Sequence, residues 1–371
     1  MVKPATRLNS IELSQIRKMF EVCDENAINM GIGEPDFDIP ENVKIAIKEA
    51  LDDGFTHYTH NKGFLELREE ISKKLKNDNN LNIDPESVMV TVGASEALYI
   101  CAQGLFESGD EVLIPDPGFL SYKACVDLSG AKSVPVEAKI ANNYRTRFED
   151  ITEKITSKTK AFIMNSPSNP TGAVMEKKDI KAIADLATDY DFMIISDEIY
   201  EKIIYNKKHY SPAEFTDNAI VINGFSKTYA MTGLRIAYLA GQNEIIEELL
   251  KVHQYNTACA SSISQVAGYE ALKGPQEYVN NMVKEFERRK NLISTGLEEL
   301  GLKCTNLDGA FYAFPQVENA SEYVQKTVEA GVITVPGSGF GQSCQDNVRL
   351  SYANSYENIE EAINRLKKIN H

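Results

Sequence analysis

Residues 160–198 read KAFIMNSPSNPTGAVMEKKDIKAIADLATDYDFMIISDE, and this stretch decides the fold. Two short apolar runs, at 160–164 and 192–195, flank a helical pattern over 177–190. The runs are apolar at consecutive positions, as in strands that are buried on both faces, and a helical crossover between two such strands makes them parallel. The stretch therefore predicts a strand–helix–strand unit of an α/β protein.

Similar apolar runs occur on both sides of this unit, at 87–92, 111–114 and 219–222. They predict a large α/β domain, residues 41–280, in which a mostly parallel sheet is covered by helices on both faces. From about residue 280 the pattern predicts a long charged helix, then three short apolar runs at 309–314, 332–335 and 347–352, and then a final helix. We expect residues 281–371, together with 1–40, to form a smaller α+β domain.

Composition limits the partners of the chain. Its 371 residues carry a net charge of −15, which disfavours nucleic acid and anionic membranes as partners. Six scattered cysteines without a C-x-x-C pair predict a reduced, cytoplasmic protein rather than a zinc site or a disulfide scaffold. The N-terminal apolar residues have the spacing of an amphipathic helix and not of a signal peptide: Ile11, Ile16, Met19 and Phe20.

A polar or glycine-rich cluster follows each of the five strands directly. The clusters lie at 93–95, 115–119, 165–172, 196–198 and 223–227. Ligands of open α/β sheets bind outside the carboxyl ends of the strands. Five chemically rich clusters at five such ends therefore predict one shared site.

The last cluster contains Lys227, and Arg235 follows eight residues later. A lysine near an anion-binding arginine suits imine chemistry with a phosphorylated aldehyde. The segment GFSKTYAMTGLR, residues 224–235, closely resembles the cofactor-lysine motif of class I aminotransferases, the fold-type-I pyridoxal phosphate enzymes. Further motifs resemble this family in family order, at 31–37, 57–68, 165–172, 196–200 and 348–352.

The resemblance implies pyridoxal 5'-phosphate as cofactor and assigns roles around its ring. Lys227 would form a Schiff base with the cofactor and then act as the general base. Asp197 would pair with the pyridine nitrogen, and Asn169 and Tyr200 would hydrogen-bond the phenolic oxygen. Phe119 would stack on the ring. Lys227, Asp197 and Tyr200 are the residues to which the resemblance assigns catalysis.

The resemblance also implies a phosphate cup, built from a helix N-terminus and a few side chains. Its residues would be Gly93, Ala94, Ser95, Ser226, Arg235 and Tyr58. In this family the equivalent tyrosine comes from the second subunit, so the resemblance implies a homodimer with active sites shared across the interface.

The substrate side of the site follows from the same resemblance. Arg349 would clamp the substrate α-carboxylate through a bidentate fork, which a lysine cannot reproduce, with help from Gly33, Asn169 and Phe119. The aromatic side chains Phe37, Phe311, Tyr312 and Phe340 could line the rest of the pocket. Residues 14–20 and 29–37 are similar to archaeal-type aspartate and aromatic aminotransferases.

The predicted function is transfer of an amino group from an L-amino acid, aspartate or aromatic, to a 2-oxo acid such as 2-oxoglutarate in a ping-pong reaction. A pyridoxal phosphate-dependent lyase similar to aminocyclopropane-carboxylate synthase is one alternative, and a non-catalytic module that senses the cofactor is another. The glycine-rich segment 335–341 lacks the G-x-G-x-x-G spacing of a dinucleotide site. No metal is expected, because no second acidic or histidine cluster accompanies Asp197 and Glu198 in the sequence.

Overall fold

The computed structural model of the chain describes residues 3–11 and 26–369. Its α-helices are, in chain order, α1 (Glu41–Asp52), α2 (Leu65–Asn79), α3 (Gly93–Leu105), α4 (Ser121–Ser129), α5 (Phe148–Thr152), α6 (Lys177–Asp189), α7 (Asn243–Asn256), α8 (Ser262–Lys273), α9 (Glu277–Glu299), α10 (Ala320–Glu329) and α11 (Tyr356–Lys367). Short 3-10 helices lie at Thr6–Ser10, Pro85–Ser87, Ile140–Asn142, Pro212–Glu214 and Gly337–Gly339.

The strands form one large sheet and two small ones. They are β1 (Ile28–Asn29), β2 (Val88–Thr91), β3 (Glu111–Asp116), β4 (Lys132–Glu137), β5 (Thr159–Asn165), β6 (Met193–Asp197), β7 (Ala219–Gly224), β8 (Ala237–Ala240), β9 (Tyr312–Ala313), β10 (Val332–Ile333), β11 (Val335–Pro336) and β12 (Val348–Ser351).

The large sheet has seven strands in the order β2-β8-β7-β6-β5-β3-β4. Only β8 runs antiparallel to its neighbours β2 and β7, and every other neighbouring pair is parallel. The five strands predicted from the sequence therefore run in the same direction, and their carboxyl ends lie at one edge. The predicted α/β class with a mostly parallel sheet is confirmed.

Helices cover both faces of this sheet. Successive strand residues point to opposite sides, so neighbours in one strand pack against different helices. Ile114 and Ile195 pack in the cluster that contains buried residues of α3, α4 and α7. Leu113 and Ile194, one position earlier in each strand, pack instead in the cluster that contains α6. In α6 the buried residues recur at the spacing of one helix face: Ile180, Ile183, Ala184 and Ala187.

The C-terminal part of the chain builds the two small sheets. Antiparallel strands in the order β11-β12-β9 form one of them, and β1 pairs in parallel with β10 in the other. The N-terminal strand thus joins the C-terminal part, and α9 contributes Met282 and Phe286 to the core beneath them. Strand β12 carries Arg349, which hydrogen-bonds Asn169 after β5. The C-terminal part of the chain therefore meets the edge of the large sheet.

Two strands of the large sheet were missed by the sequence analysis. Along β4 only Val136 is buried, so this strand lacks an apolar run. The four residues of β8 return antiparallel beside β7 after the loop that carries Lys227. Of the residues that predicted an N-terminal helix, Ile16, Met19 and Phe20 lie outside the described residues, and Ile11 follows the 3-10 helix in an extended conformation. In the described chain no helix combines the length and the hydropathy needed to cross a membrane.

Candidate active site

The site begins where β5 and β6 end side by side. In the register of these strands Asn165 lies opposite Asp197, and the Asn165 side-chain amide donates to the Asp197 carbonyl at 2.8 Å. The Asn165 side-chain oxygen accepts the backbone N–H of Asn169, also at 2.8 Å. One side chain therefore fixes both the end of β6 and the turn that carries Asn169.

The carboxylate of Asp197 is buried and held from the side of α4. The hydroxyl of Tyr122 donates to Asp197 Oδ2 at 2.7 Å, and the ring of Phe119 lies edge-on to Tyr122 with centroids 5.7 Å apart. Burial raises the pKa of Asp197 to about 6, although the hydrogen bond from Tyr122 opposes the shift. Within residues 3–11 and 26–369, no lysine, arginine or histidine nitrogen lies within ion-pair distance of this carboxylate.

Lys227 lies three residues after β7, and its side chain is partly buried at the same edge. Its ammonium nitrogen donates to the Gly33 carbonyl at 2.6 Å. Loss of hydration lowers the pKa of Lys227 to about 8, Glu34 opposes the shift, and the nearby cation of Arg235 adds to it. An amine with such a pKa is partly neutral near pH 7 to 8, as a nucleophile or general base requires.

Arg349 is fully buried and touches two other predicted site segments. Its Nη1 donates to the Asn169 side-chain oxygen at 2.8 Å, and its Nη2 donates to the Gly31 carbonyl at 2.6 Å. Its Nε is buried and has no hydrogen-bond partner among the described residues. The guanidinium carbon lies 4.6 Å from the Tyr312 ring centre and 4.7 Å from that of Phe340. The result is a buried cation beside two aromatic faces, and only two of its five N–H groups have hydrogen-bond partners in the described chain.

Tyr200 follows β6 by three residues, and its side chain is buried. Its hydroxyl lies 2.8 Å from that of Tyr312, and the two rings meet edge to face. Burial raises the pKa of Tyr200 well above its ordinary value. The residue is therefore a neutral hydrogen-bonding group in the physiological pH range.

The predicted phosphate cup lies at the start of α3. Gly93 is the first residue of this helix and has φ of +77°. A Cβ at Gly93 would lie 2.6 Å from Arg235 Nη2, so the absence of a side chain lets the guanidinium approach the helix N-terminus. Ala94 and Ser95 follow in the first turn. Free N–H groups, a positive helix end and a cation together favour an anion at this point.

A carboxylate joins the segment 337–343 to the end of β3. Asp116 accepts the backbone N–H groups of Gln342 and Ser343, and the Ser343 hydroxyl donates to Asp116 Oδ1 at 2.7 Å. A Cβ at Gly341 would lie 1.9 Å from Asp116 Oδ1, so this position requires glycine. These bonds hold Phe340 beside Arg349, and the glycine-rich segment therefore has a local structural role.

Within the described chain, no side-chain hydrogen bond joins Tyr58, Ser226 or Ser95 to this network. Tyr58 is 88% exposed. Ser226 is half-buried, and Ser95 is exposed on the first turn of α3. The remaining predicted residues converge at one edge of the sheet.

Several residues of the network were not given a role by the sequence analysis. Tyr122, Asn165 and Asp116 are the main ones. Asn165 and Asp116 each end a strand, and this position was the available signal. Tyr122 lies three residues after Phe119 and thus on the same side of a helical turn, but only the fold shows that it meets Asp197.

A buried acidic and histidine cluster does lie behind Asp197, so the sequence expectation that none accompanies it was wrong. Oxygen and nitrogen atoms of Glu198, Glu201 and His209 lie within 4.8 Å of one another. Glu198 accepts the Ser211 hydroxyl at 2.6 Å and lies 2.9 Å from His209 Nε2, while Glu201 pairs with Lys74. These partners already satisfy the carboxylates, so the cluster is an internal ion-pair network. Glu198 and Glu201 are three positions apart and His209 follows eight positions later, so the sequence did contain the signal.

Comparison with known proteins identifies the family of the chain. The family "Aminotransferase class I and II" matches residues 25–366. The chain is 48% identical to a probable aspartate aminotransferase of Methanocaldococcus jannaschii, over 98% of this chain and 99% of the relative. It is 42% identical to aromatic-amino-acid aminotransferase 2 of Thermococcus litoralis, over 98% of this chain and 97% of the relative. The chain belongs to the class I and II aminotransferase family.

A solved structure supports the same assignment for this aminotransferase. The aspartate aminotransferase of Thermus thermophilus with maleate matches it with a TM-score of 0.96 at 36% identity, covering 100% of both chains. The predicted family, the fold type and the dependence on pyridoxal phosphate are therefore confirmed. As members of this family do, the enzyme uses amino acids and 2-oxo acids as substrates.

The residues at the sheet edge fit pyridoxal phosphate. Asp197 offers a buried carboxylate without an ion-pair partner in the described chain, as a pyridine nitrogen requires. Lys227 offers an amine whose pKa is lowered. Gly93 leaves open the helix end that Arg235 approaches, which suits a phosphate. The donor set thus matches each end of the cofactor.

We expect the replacement Asp197→Asn to make the stability of the cofactor-free aminotransferase less dependent on pH. The pKa of Asp197 rises from 3.8 to about 6 on folding, so the folded chain holds the extra proton between these values. Stability therefore falls as pH rises through this interval, and the penalty is fully present above pH 6. It is on the order of 2–3 kcal/mol. Urea unfolding at pH 4.5 and 7 measures the free energy of unfolding.

The exposed Asp185 on α6 supplies the matched control. Asp185→Asn should keep the pH dependence of the parent protein, whereas Asp197→Asn should flatten it. Equal pH dependence in all three proteins would show that the carboxyl of Asp197 is not the group that resists ionisation.

Proposed function

We propose that this aminotransferase accepts aspartate and aromatic L-amino acids as donors and a 2-oxo acid such as 2-oxoglutarate as acceptor. Both substrates would use one site in turn, as a ping-pong reaction requires. The observation that carries the proposal is the buried Arg349, whose Nε has no partner in the described part of the chain and whose guanidinium lies over the rings of Tyr312 and Phe340. Relatives named for aspartate and for aromatic amino acids support both kinds of donor.

In this proposal Arg349 binds the α-carboxylate that both substrates share. Its planar fork fixes the orientation of the carboxylate and hence of the bond from Cα to hydrogen. The bond to Asn169 and the bond to the Gly31 carbonyl hold the guanidinium in place before substrate arrives. Since the same group serves donor and acceptor, one arginine orients both half-reactions.

Lys227 is the group that moves the proton at Cα. Its lowered pKa leaves a neutral fraction of amine near pH 7, and the Gly33 carbonyl holds its nitrogen at 2.6 Å. Pyridoxal phosphate, when bound, supplies the electron sink that makes this proton acidic. Asp197 would hold a proton on the pyridine nitrogen, Tyr200 and Asn169 would bind the phenolic oxygen, and Phe119 would cover the ring.

The phosphate contacts and the assembly belong to the same proposal. Gly93, Ala94 and Ser95 would offer backbone N–H groups, and Arg235 and Ser226 would add side chains. Tyr58 would complete the cup of the other subunit in a homodimer, and its 88% exposure in the single chain supports a role outside its own site. We also propose a large cofactor-binding domain over 41–280, a small domain from 1–40 and 281–371, and a cytoplasmic location without nucleic acid or membrane partners.

A panel of amino donors tests the proposal. Single-turnover absorbance changes of the holoenzyme should be fastest with aspartate, phenylalanine or tyrosine and slower with alanine and lysine. Subsequent addition of 2-oxoglutarate should restore the starting spectrum and yield glutamate. A marked preference for alanine or lysine would reject the substrate assignment. Release of pyruvate and ammonia without amino transfer would instead identify a lyase.

A further inference from the structure

Tyr312 lies where three residues of the site meet. Its side chain is fully buried on β9, its hydroxyl lies 2.8 Å from that of Tyr200, and its ring faces Arg349 at 4.6 Å. A Cβ at Gly33 would lie 2.2 Å from the Tyr312 hydroxyl, so only glycine leaves room for it. The packing therefore fixes the position of this hydroxyl group.

The two tyrosine hydroxyls have one proton each. In the described part of the chain, each of these hydroxyls has the other as its hydrogen-bond partner. If Tyr200 donates, its proton is used within the pair and the buried proton of Tyr312 has no acceptor. If Tyr312 donates, the proton of Tyr200 remains for a ligand oxygen beside it. A buried donor without an acceptor is costly. When a ligand oxygen lies beside Tyr200, both protons have acceptors only if Tyr312 donates to Tyr200, so this arrangement is favoured.

We infer that Tyr312 is a positioning residue for amino transfer, which donates to Tyr200 and so directs the Tyr200 proton to the phenolic oxygen of the cofactor. The inference rests on the proposed role of Tyr200. A hydroxyl that accepts one hydrogen bond becomes a stronger donor in the next, so Tyr312 also strengthens the bond that Tyr200 makes.

The charged groups around the pair leave both tyrosines neutral. Arg349 on β12 and Asp197 at the end of β6 act on Tyr200, and Arg349 also faces Tyr312. Burial raises the pKa of both tyrosines despite the guanidinium. Any pH-dependent change of the visible spectrum near neutrality therefore reports on the cofactor and not on these hydroxyls.

The test is the variant Tyr312→Phe, which keeps the ring beside Arg349 and removes only the hydroxyl. The visible absorption of the holoenzyme is titrated with pH. When the link between Lys227 and the cofactor loses its proton, the phenolic oxygen keeps its negative charge and depends on the Tyr200 donor. A weaker hydrogen bond from Tyr200 should therefore raise the pH midpoint of this spectral titration by about 0.5–1 unit.

Tyr352→Phe is the matched control. Tyr352 is also fully buried, on the residue after β12, but its hydroxyl bonds the Ala310 carbonyl at 3.1 Å and Tyr205. This variant should leave the midpoint unchanged. Tyr200→Phe should raise it at least as much as Tyr312→Phe does. The double variant should shift no further than Tyr200→Phe alone, because Tyr312 acts through Tyr200.

A second variant covers the case in which Tyr312→Phe does not fold. Gly33→Ala places a methyl group against the Tyr312 hydroxyl and should raise the midpoint in the same direction. Suppose that Tyr200→Phe shifts the midpoint but that the folded Tyr312→Phe holoenzyme, or Gly33→Ala, leaves it unchanged. That result would overturn this inference and leave the proposed function standing. A wild-type protein without a visible band would overturn the proposed function and this inference with it.

Discussion

Lys227→Ala is expected to lower the rate of both half-reactions by about 10⁴-fold or more. The variant retains the fold, because the side chain contributes one hydrogen bond, to the Gly33 carbonyl, and is not part of the core. It loses the amine that joins the cofactor and moves the proton at Cα. Rapid-mixing absorbance with aspartate, and then with 2-oxoglutarate, measures each half-reaction separately.

The matched control for this variant is Lys181→Ala. Lys181 is exposed on α6 and pairs with Asp185, so its loss should leave both half-reactions at the wild-type rate. Normal turnover by Lys227→Ala would exclude the proposed mechanism, because the amine that joins the cofactor and moves the proton would then be dispensable.

Arg349→Lys is expected to reduce kcat/KM by about 10²- to 10³-fold for donors and acceptors alike. A lysine has the charge but lacks the planar fork, and its three N–H groups cannot bond Asn169, Gly31 and both oxygens of a carboxylate at once. The larger part of the loss should appear in KM, because the carboxylate is bound before the reaction as well as during it. Steady-state kinetics with aspartate and with phenylalanine measure the effect.

Arg147→Lys is a suitable control, because Arg147 is exposed and pairs with Asp150 beyond the site. It should leave both constants unchanged. An equally small effect of Arg349→Lys would mean that the α-carboxylate binds elsewhere, and a loss confined to one substrate would separate the donor site from the acceptor site.

Much of the site could be predicted because strand ends are visible in sequence. Each apolar run stops at a polar cluster, and parallel strands bring these clusters to one edge, so Asp197, Asn169 and Lys227 were expected to lie together. Their individual roles came from the resemblance to the family. The edge strand β4 lacks an apolar run, whereas the four residues of β8 are apolar and buried and were simply not assigned as a strand.

The residues that support these groups could not be found in the same way. Tyr122 meets Asp197 across 75 positions, and Asp116 meets Ser343 across 227. Such contacts depend on how helices and loops pack on the sheet, which periodicity does not encode. Tyr312 was named only as an aromatic wall, because the sequence does not show that its hydroxyl lies beside that of Tyr200.

The central claim is that Lys227 carries the cofactor. Borohydride reduction of the wild-type holoenzyme, followed by proteolysis and mass spectrometry, tests this claim most directly. We expect the mass of the reduced pyridoxyl phosphate group on the peptide that contains Lys227 and on no other lysine. Modification of a different lysine, or an unmodified Lys227 peptide in protein that shows the visible band, would contradict the account.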